Sequence, residues 1–506
     1  MSTIIVLEPN LFNNFAKKIM RSKIFRSIKF LLILISTFCF FTLQTFSCSA
    51  QEVILKLHIR GVAETKVSLM PLYGANAYKT ILEKSGIKNG ETDSIIISNT
   101  NLPGEFVLRF DYKEKETSSP YPCEKYIIIN DQDLELWVNP MYCNNNDSTY
   151  FQKDEKENTV LAYFNKENNK QKEKLGLLQN FLLNYDDIQS EFYQQGIEEY
   201  EKRRNNYNQW LKEQTTKYND LFVSHIFQFH YVPQIDFKGD ESARMQSVLS
   251  HYFDGIDFND TFLLHTQELT NFITTYVNMY ASTAKTQQEL DSLFPLIGKT
   301  AIEKARLGHP KVYGWMVDYF YKGYESINMP AGIEMLETYL NDPNCLTTKR
   351  QAIEKRLAGM KTLTVGTLAP DFTIKDNDGK EVLFSKYKTN SKYKLLLFYS
   401  ADCGHCTELV NQLYNWWKQS SNQKLIEVLA LSLDETETEI AAWENTISQL
   451  QGWKHKRCEG GINSSEANAY FILSVPVMFL VDTKTNKISA IPENMDELLQ
   501  FLTDNP

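Results

Sequence analysis

The sequence predicts a multidomain chain, with an N-terminal all-β domain, an α-helical middle domain and a C-terminal α/β domain. Three observations predict it. Short apolar runs separated by turn residues recur between Gln51 and Pro140. Apolar and aromatic residues recur at helical steps from Gln171 to Leu363. Strand-like and helix-like runs then alternate from Val365 to the end. At 506 residues the chain is too long for one core. The expected parts are a targeting segment at 1–50, a β-rich domain at 51–143, a linker and helices at 144–363, and the α/β domain at 364–506.

The first 50 residues read as an export signal. Lys17, Lys18, Arg21, Lys23, Arg26 and Lys29 precede an apolar run from Phe30 to Leu43, and small residues at Ser47, Ser49 and Ala50 offer a cleavage site before Gln51. The apolar run is short for a spanning helix, so no stable membrane span is expected after cleavage. An uncleaved anchor and a lipidated Cys48 are the alternatives. The expected location is the periplasm or cell envelope. The chain carries a net charge of −10, and removing a segment of net +5 leaves a mature protein at −15. No basic stripe is present, which argues against nucleic acid as a partner.

In the β-rich part, strands are expected at Val53–Ile59, Lys66–Pro71, Thr92–Ile97 and Glu105–Tyr112. Tyr126–Asn130 and Leu134–Val138, joined by Asp131-Gln132-Asp133, read as a hairpin. Cys123 and Cys143 flank it and would fall nearly opposite each other, a structural disulfide that an exported protein can keep. Asn144–Asn169 is polar and reads as a linker or an exposed helix start. Helices are expected at Glu191–Asn219, Met245–Phe253, Leu264–Met279, Gln287–Leu307, Val312–Tyr324, Ala331–Leu340 and Thr348–Leu357. Their aromatic stripes are read as core, with a peptide groove as the alternative. His225, His230, His251 and His265 show no tight metal-ligand spacing, and no metal is expected. Cys345 follows a helix-ending loop and reads as a lone thiol.

In the C-terminal part, Tyr393–Tyr399 is a buried-strand pattern, and Thr407–Lys418 places Leu409, Val410, Leu413, Tyr414 and Trp417 at helical spacing. Cys403-Gly404-His405-Cys406 sits between them. A helix N-terminus favours a thiolate, so Cys403 is expected as nucleophile and Cys406 as resolving thiol. Half of a zinc site and a purely structural disulfide are the other readings of two such cysteines. Zinc would need two further ligands, and no second Cys-x-x-Cys is present. A core strand at Leu425–Leu433, helices at Glu435–Leu450 and Ser464–Leu473, a strand after Pro476, another at Lys487–Ile491 and a closing helix at Asp496–Leu502 complete the alternation. Cys458 lies among Lys454, Lys456 and Arg457, which are expected to lower its pKa.

Cys403-Gly404-His405-Cys406 together with Ser474-Val475-Pro476-Val477 resembles the thioredoxin superfamily. The resemblance covers roughly the last 140 residues. It implies that Pro476 is a cis-proline facing the cysteines and that Val475 pairs with the substrate backbone. Val365–Phe372 and the following hairpin, with a turn at Asp376–Gly379, look like the TlpA-like and peroxiredoxin-like branch. The β-rich part resembles the small β-domain found ahead of TlpA-like domains in envelope proteins. The resemblance implies a thiol-disulfide oxidoreductase that acts on protein or peptide disulfides, is recycled by a redox partner and needs no organic cofactor.

Two departures from the family pattern bear on tuning. Asp402 stands where tryptophan is common, and its charge opposes a thiolate at Cys403. Leu397 occupies the position of thioredoxin's buried proton-relay aspartate, which leaves water or a group such as Glu408 for proton transfer. His405 between the cysteines favours the reduced form and a potential on the order of −250 to −180 mV, whereas Asp402 pushes the other way, so reductase, oxidase and isomerase directions all stay open. Ser400-x-x-Cys403 imitates part of a peroxiredoxin signature, but Leu396 stands where that signature needs proline. The alternative from another class is an envelope binding protein whose C-terminal fold is a docking module with little turnover.

Overall fold

The computed structural model describes residues 52–505 apart from residue 377. The expected export signal therefore lies outside the described residues, as does one residue of the turn at 376–379. The described chain forms two compact units, one ending at Thr159 and one beginning at Val160.

The first unit is a β-sandwich. Its strands are β1 (Val53–Ile59), β2 (Glu64–Pro71), β3 (Leu82–Lys88), β4 (Thr92–Ile97), β5 (Gly104–Lys113), β6 (Tyr121–Ile129), β7 (Leu134–Val138) and β8 (Tyr150–Phe151). One sheet runs β4-β1-β7-β8 and the other β3-β2-β5-β6. Alternation along each strand turns one apolar set inward. Val53, Leu55, Leu57 and Ile59 of β1 meet Phe106, Leu108 and Phe110 of β5 in one shared core.

The hairpin expected across 131–133 does not form. β6 pairs antiparallel with β5, while β7 pairs parallel with β1 in the opposite sheet. The chain crosses between sheets at that turn. Strand β1 carries β4 on one edge and needs a second partner for the backbone groups of the other, and β7 supplies it. Cys123 on β6 and Cys143 after β7 are nonetheless joined, with Cα atoms 6.5 Å apart. The disulfide thus ties one sheet to the other.

The stretch expected as a linker or a helix start holds β8 and then the start of helix α1 (Glu157–Asn184). Glu155 accepts from the backbone N–H groups of Asn158 and Thr159 at 2.8 and 2.7 Å, satisfying donors that a helix start leaves open. A carboxylate in this place also suits the helix dipole.

In the second unit α1 packs on α2 (Glu191–Lys217), whose Tyr193, Tyr200, Tyr207 and Leu211 form its buried stripe. Phe164 of α1 stacks on Trp210 of α2 and on Phe227 at centroid distances of 5.2 and 3.8 Å. Next come α3 (Glu241–Ser250), α4 (Glu268–Ala281), α5 (Gln287–Arg306), α6 (Pro310–Ser326), α7 (Pro330–Leu340) and α8 (Arg350–Thr362). Their aromatic stripes are buried in one core that includes Tyr276, Tyr313, Phe320 and Tyr339. No helix among the described residues is long and apolar enough to cross a membrane.

The C-terminal α/β region begins with the hairpin β9 (Thr373–Lys375) and β10 (Glu381–Leu383). It continues with β11 (Tyr393–Tyr399), α9 (Gly404–Trp417), the short α10 (Ser420–Gln423), β12 (Ile426–Ser432), α11 (Glu437–Gln449), β13 (Lys454–Arg457), α12 (Ser465–Ala469), β14 (Val477–Asp482), β15 (Ile488–Ala490) and α13 (Met495–Asp504). The sheet runs β13-β12-β11-β14-β15. β11 sits at its centre, parallel to β12 and antiparallel to β14, and all seven of its residues are buried. This burial explains its unbroken apolar run. The edge strand β13 was not foreseen, because Lys454-His455-Lys456-Arg457 is polar and only half-buried. The helix expected at 464–473 is confined to α12.

Candidate active site

Central strand β11 ends at Tyr399, and the chain turns through Ser400–Asp402 into α9. Cys403 is the N-cap of that helix, and its sulfur accepts from the Cys406 N–H at 3.3 Å. Cys406, Leu409, Val410, Leu413 and Trp417 bury one face of α9 against the sheet, which fixes the helix start at the end of β11. Cys403 is half-buried, while Asp402, Gly404 and His405 are exposed. The Val475–Pro476 peptide is cis and precedes β14. The Val475 carbonyl oxygen lies 3.9 Å from the Cys403 sulfur. The structure thus brings together Cys403, Cys406, Val475 and Pro476 from two separate stretches of sequence.

Residues 365–488 match the AhpC/TSA family. This match falls on the same central strand, cysteine-bearing helix start and proline-led strand. The C-terminal part is a thioredoxin-like α/β domain.

No curated protein matches the chain. Among solved structures, a thioredoxin-like protein from Bacteroides caccae is 19% identical, covers 54% of this chain and 98% of its own, and has a TM-score of 0.37. The C-terminal domain of a putative thiol-disulfide oxidoreductase from Bacteroides thetaiotaomicron is 24% identical over 28% of this chain and 96% of its own, with a TM-score of 0.25. A thiol-disulfide oxidoreductase from Bacteroides fragilis is 27% identical over 27% of this chain and 98% of its own, with a TM-score of 0.24.

Within the thioredoxin domain the two sulfurs differ. Burial, followed by the neighbouring Cys403, pushes the Cys406 thiol up to about 12. Cys406 is therefore a protonated thiol with no exposed surface, while Cys403 sits half-buried at a positive helix end. The outer cysteine is open to a third party, and the inner one is sealed from solvent beside the outer.

Sequence reasoning missed Asp434. Fully buried just past β12, its carboxylate accepts from Ser400 Oγ at 2.6 Å, from the Ala401 N–H at 3.1 Å and from Ser432 Oγ at 2.7 Å. It pins the turn that presents Cys403. It also adds to the upward pressure on Cys406, behind burial and Cys403. In sequence Asp434 looked like a polar residue introducing the next helix, and no spacing rule separates it from the exposed Glu435. The Ser400 hydroxyl, half of the peroxiredoxin-like match, is committed to this carboxylate. Glu408, considered for proton transfer, stands exposed and accepts from Gln412 at 3.4 Å.

Cys458 contradicts the expectation of a lowered pKa. It is fully buried, and burial followed by the Glu466 charge pushes its thiol up to about 12, outweighing Lys456 and Arg457. Basic neighbours in sequence matter less than removal from water. Cys345 is likewise a buried free thiol. His225 and His251 pair with Asp260 and Asp254, and burial pushes His230 down to about 4.

Proposed function

We propose that this chain is an exported thiol-disulfide oxidoreductase that exchanges electrons with protein disulfides through Cys403 and Cys406. The observation that carries the reading is the inequality of the two sulfurs, one half-buried at a helix start beside the Val475 carbonyl and one sealed behind it. In the reductive direction the Cys403 thiolate attacks one sulfur of a substrate disulfide. The substrate S–S bond breaks, a mixed disulfide forms, and the first substrate sulfur leaves as a thiolate. Val475 pairs with the extended substrate backbone and Pro476 closes the site behind it. Cys406 then gives up its proton, attacks the Cys403 sulfur and expels the second substrate thiolate. Two electrons have passed to the substrate, and a dithiol partner restores the Cys403–Cys406 pair. Run backwards, the same steps oxidise a substrate dithiol.

His405, Gly404 and Asp402 surround the attacking sulfur on the exposed side and tune its potential. The Cys123–Cys143 disulfide fits export, because such bonds persist in oxidising compartments. Export itself predicts a mature protein beginning near Gln51 in the periplasm or envelope, measurable by N-terminal sequencing of the fractionated protein.

Insulin reduction followed by turbidity tests the enzyme reading. The expected result is activity in the wild type and none in Cys403→Ser. Equal rates in the two would leave the domain a docking module. Cys406→Ser is expected to accumulate mixed disulfides with substrates, whose identification names them.

A further inference from the structure

A cleft of about 640 Å³ lies where the helical region meets the thioredoxin domain. Helices α6, α7 and α8 and the turn after α6 supply Glu325, Glu334, Arg356 and Asn328 to one wall. The facing wall is the chain leading into β14 and the Ile491–Glu493 loop after β15. Pro476 is part of the cleft lining, and the carbonyl just before it lies 3.9 Å from the Cys403 sulfur. A chain laid along Val475 with its sulfur on Cys403 would therefore border this cleft. Nothing in the sequence foretold that the helical region forms half of it.

The lining is acidic, with Glu325, Glu334 and Glu493 set against the single guanidinium of Arg356. That guanidinium is already engaged. Its Nε donates to Glu325 at 3.0 Å and one Nη to Asn328 at 2.9 Å, and Asn328 donates in turn to Glu493. The nearby lysines are also engaged, Lys355 with Asn468 at 3.0 Å and Lys361 with Glu337 at 2.7 Å. Burial holds the Glu325 and Glu493 carboxyls above the usual range, and Arg356 only partly offsets it. Leu363, Phe471 and Ile472 add apolar surface between these charges. An acidic rim over apolar walls is the complement of a lysine or arginine, whose stem lies on carbon while its head meets carboxylate.

We propose that the cleft is a substrate subsite of the thioredoxin domain, seating the segment beside the reactive cysteine and selecting substrate proteins with lysine or arginine there. The proposal rests on the oxidoreductase reading and adds to it the substrate class and the part played by the helical region. Glu334 and Glu493 are specificity residues and take no part in the sulfur chemistry.

The test uses the full chain and two disulfide-containing decapeptides, identical except that one carries two arginines beside its cysteine and the other two glutamates. Mixed-disulfide formation with Cys406→Ser is timed at low and high salt. Binding of the same peptides with serine for cysteine is followed by fluorescence anisotropy. The arginine peptide is expected to react and bind about tenfold better at low salt, at about threefold per carboxylate engaged, and to lose most of this advantage at 1 M salt. Glu334→Gln combined with Glu493→Gln is expected to shrink the preference to near parity, and Glu334→Lys, at an exposed helical position, to do so without touching the Asn328 network. Equal behaviour of the two peptides, or an undiminished preference in both variants, overturns the proposal. Loss of insulin reduction and of mixed disulfides with either peptide overturns the redox reading instead. The anisotropy arm still decides the subsite in that case, because serine peptides bind without sulfur exchange.

Discussion

The inequality of the two sulfurs has a consequence that can be counted. In the reduced protein at pH 8, a thiol whose pKa is pushed to about 12 is ionised in only about one molecule in ten thousand. An ordinary exposed cysteine, with a pKa of about 8.5, is about one-quarter ionised at that pH. Cys406 is therefore expected to alkylate at least about two thousandfold more slowly than an ordinary thiol, before its burial slows the reagent further. Ionisation of Cys406 also sets a slope. Its rate is expected to rise about tenfold per pH unit up to about pH 12, because each unit multiplies the thiolate fraction by ten. The assay is iodoacetamide alkylation of the reduced wild type, quenched over time and mapped by mass spectrometry of the cysteine peptides. Cys403 is expected to be modified first. Cys458, buried and likewise pushed up to about 12, serves as an internal standard for a sealed thiol. If Cys406 alkylates within tenfold of Cys403, or if its rate levels off below pH 9, the division into attacking and resolving sulfurs is refuted.

Three further outcomes are expected. Asp434→Ala removes the common acceptor of two serine hydroxyls and the Ala401 N–H, and a loss of about 3–5 kcal/mol by urea unfolding is expected, with the smaller loss in Asp434→Asn. A change below 1 kcal/mol in the alanine variant would mean the carboxylate does not hold the turn. Lys394 is fully buried on β11, donating to Phe384 O at 3.1 Å and Asn486 Oδ1 at 2.7 Å, and burial pushes its amine down to about 8. Folding thus disfavours the charged amine, the penalty is present in full below pH 8, and it is relieved as pH climbs toward the unfolded value near 10.5. Wild type is expected to gain about 2 kcal/mol relative to Lys394→Met between pH 7 and 9.5, and a pH-independent difference would contradict the assignment. Cys123→Ala with Cys143→Ala opens a link spanning 20 residues, and a loss of about 3 kcal/mol is expected in a calorimetric or urea measurement of the β-sandwich, reproduced by reductant in the wild type.

What the sequence by itself determined are the features written in neighbouring residues. The period of two along β1, the helical stripe of Tyr193, Tyr200 and Tyr207, and the apolar run of β11 followed by two cysteines at a helix start each depend on spacing within about one element. Those features carried the three-part architecture and the position of the cysteines. The tertiary structure alone decided what depends on company from afar. Both Tyr126–Ile129 and Leu134–Val138 alternate well enough to pair with each other, yet β1 had an open edge and took β7. Cys458 has basic neighbours in sequence but no water around it, and desolvation dominates its titration. Asp434 reads as one more loop carboxylate until β11 and β12 lie side by side and bring it under Ser400 and Ala401. The acidic wall beside Pro476 is assembled from side chains lying between residues 325 and 493, too far apart for any periodicity to join. Local patterns choose an element and its buried face, because those depend on the few side chains that share a turn or a pleat. Burial, charge compensation and the walls of a cleft are sums over the whole packed chain, and they exist only once it has folded.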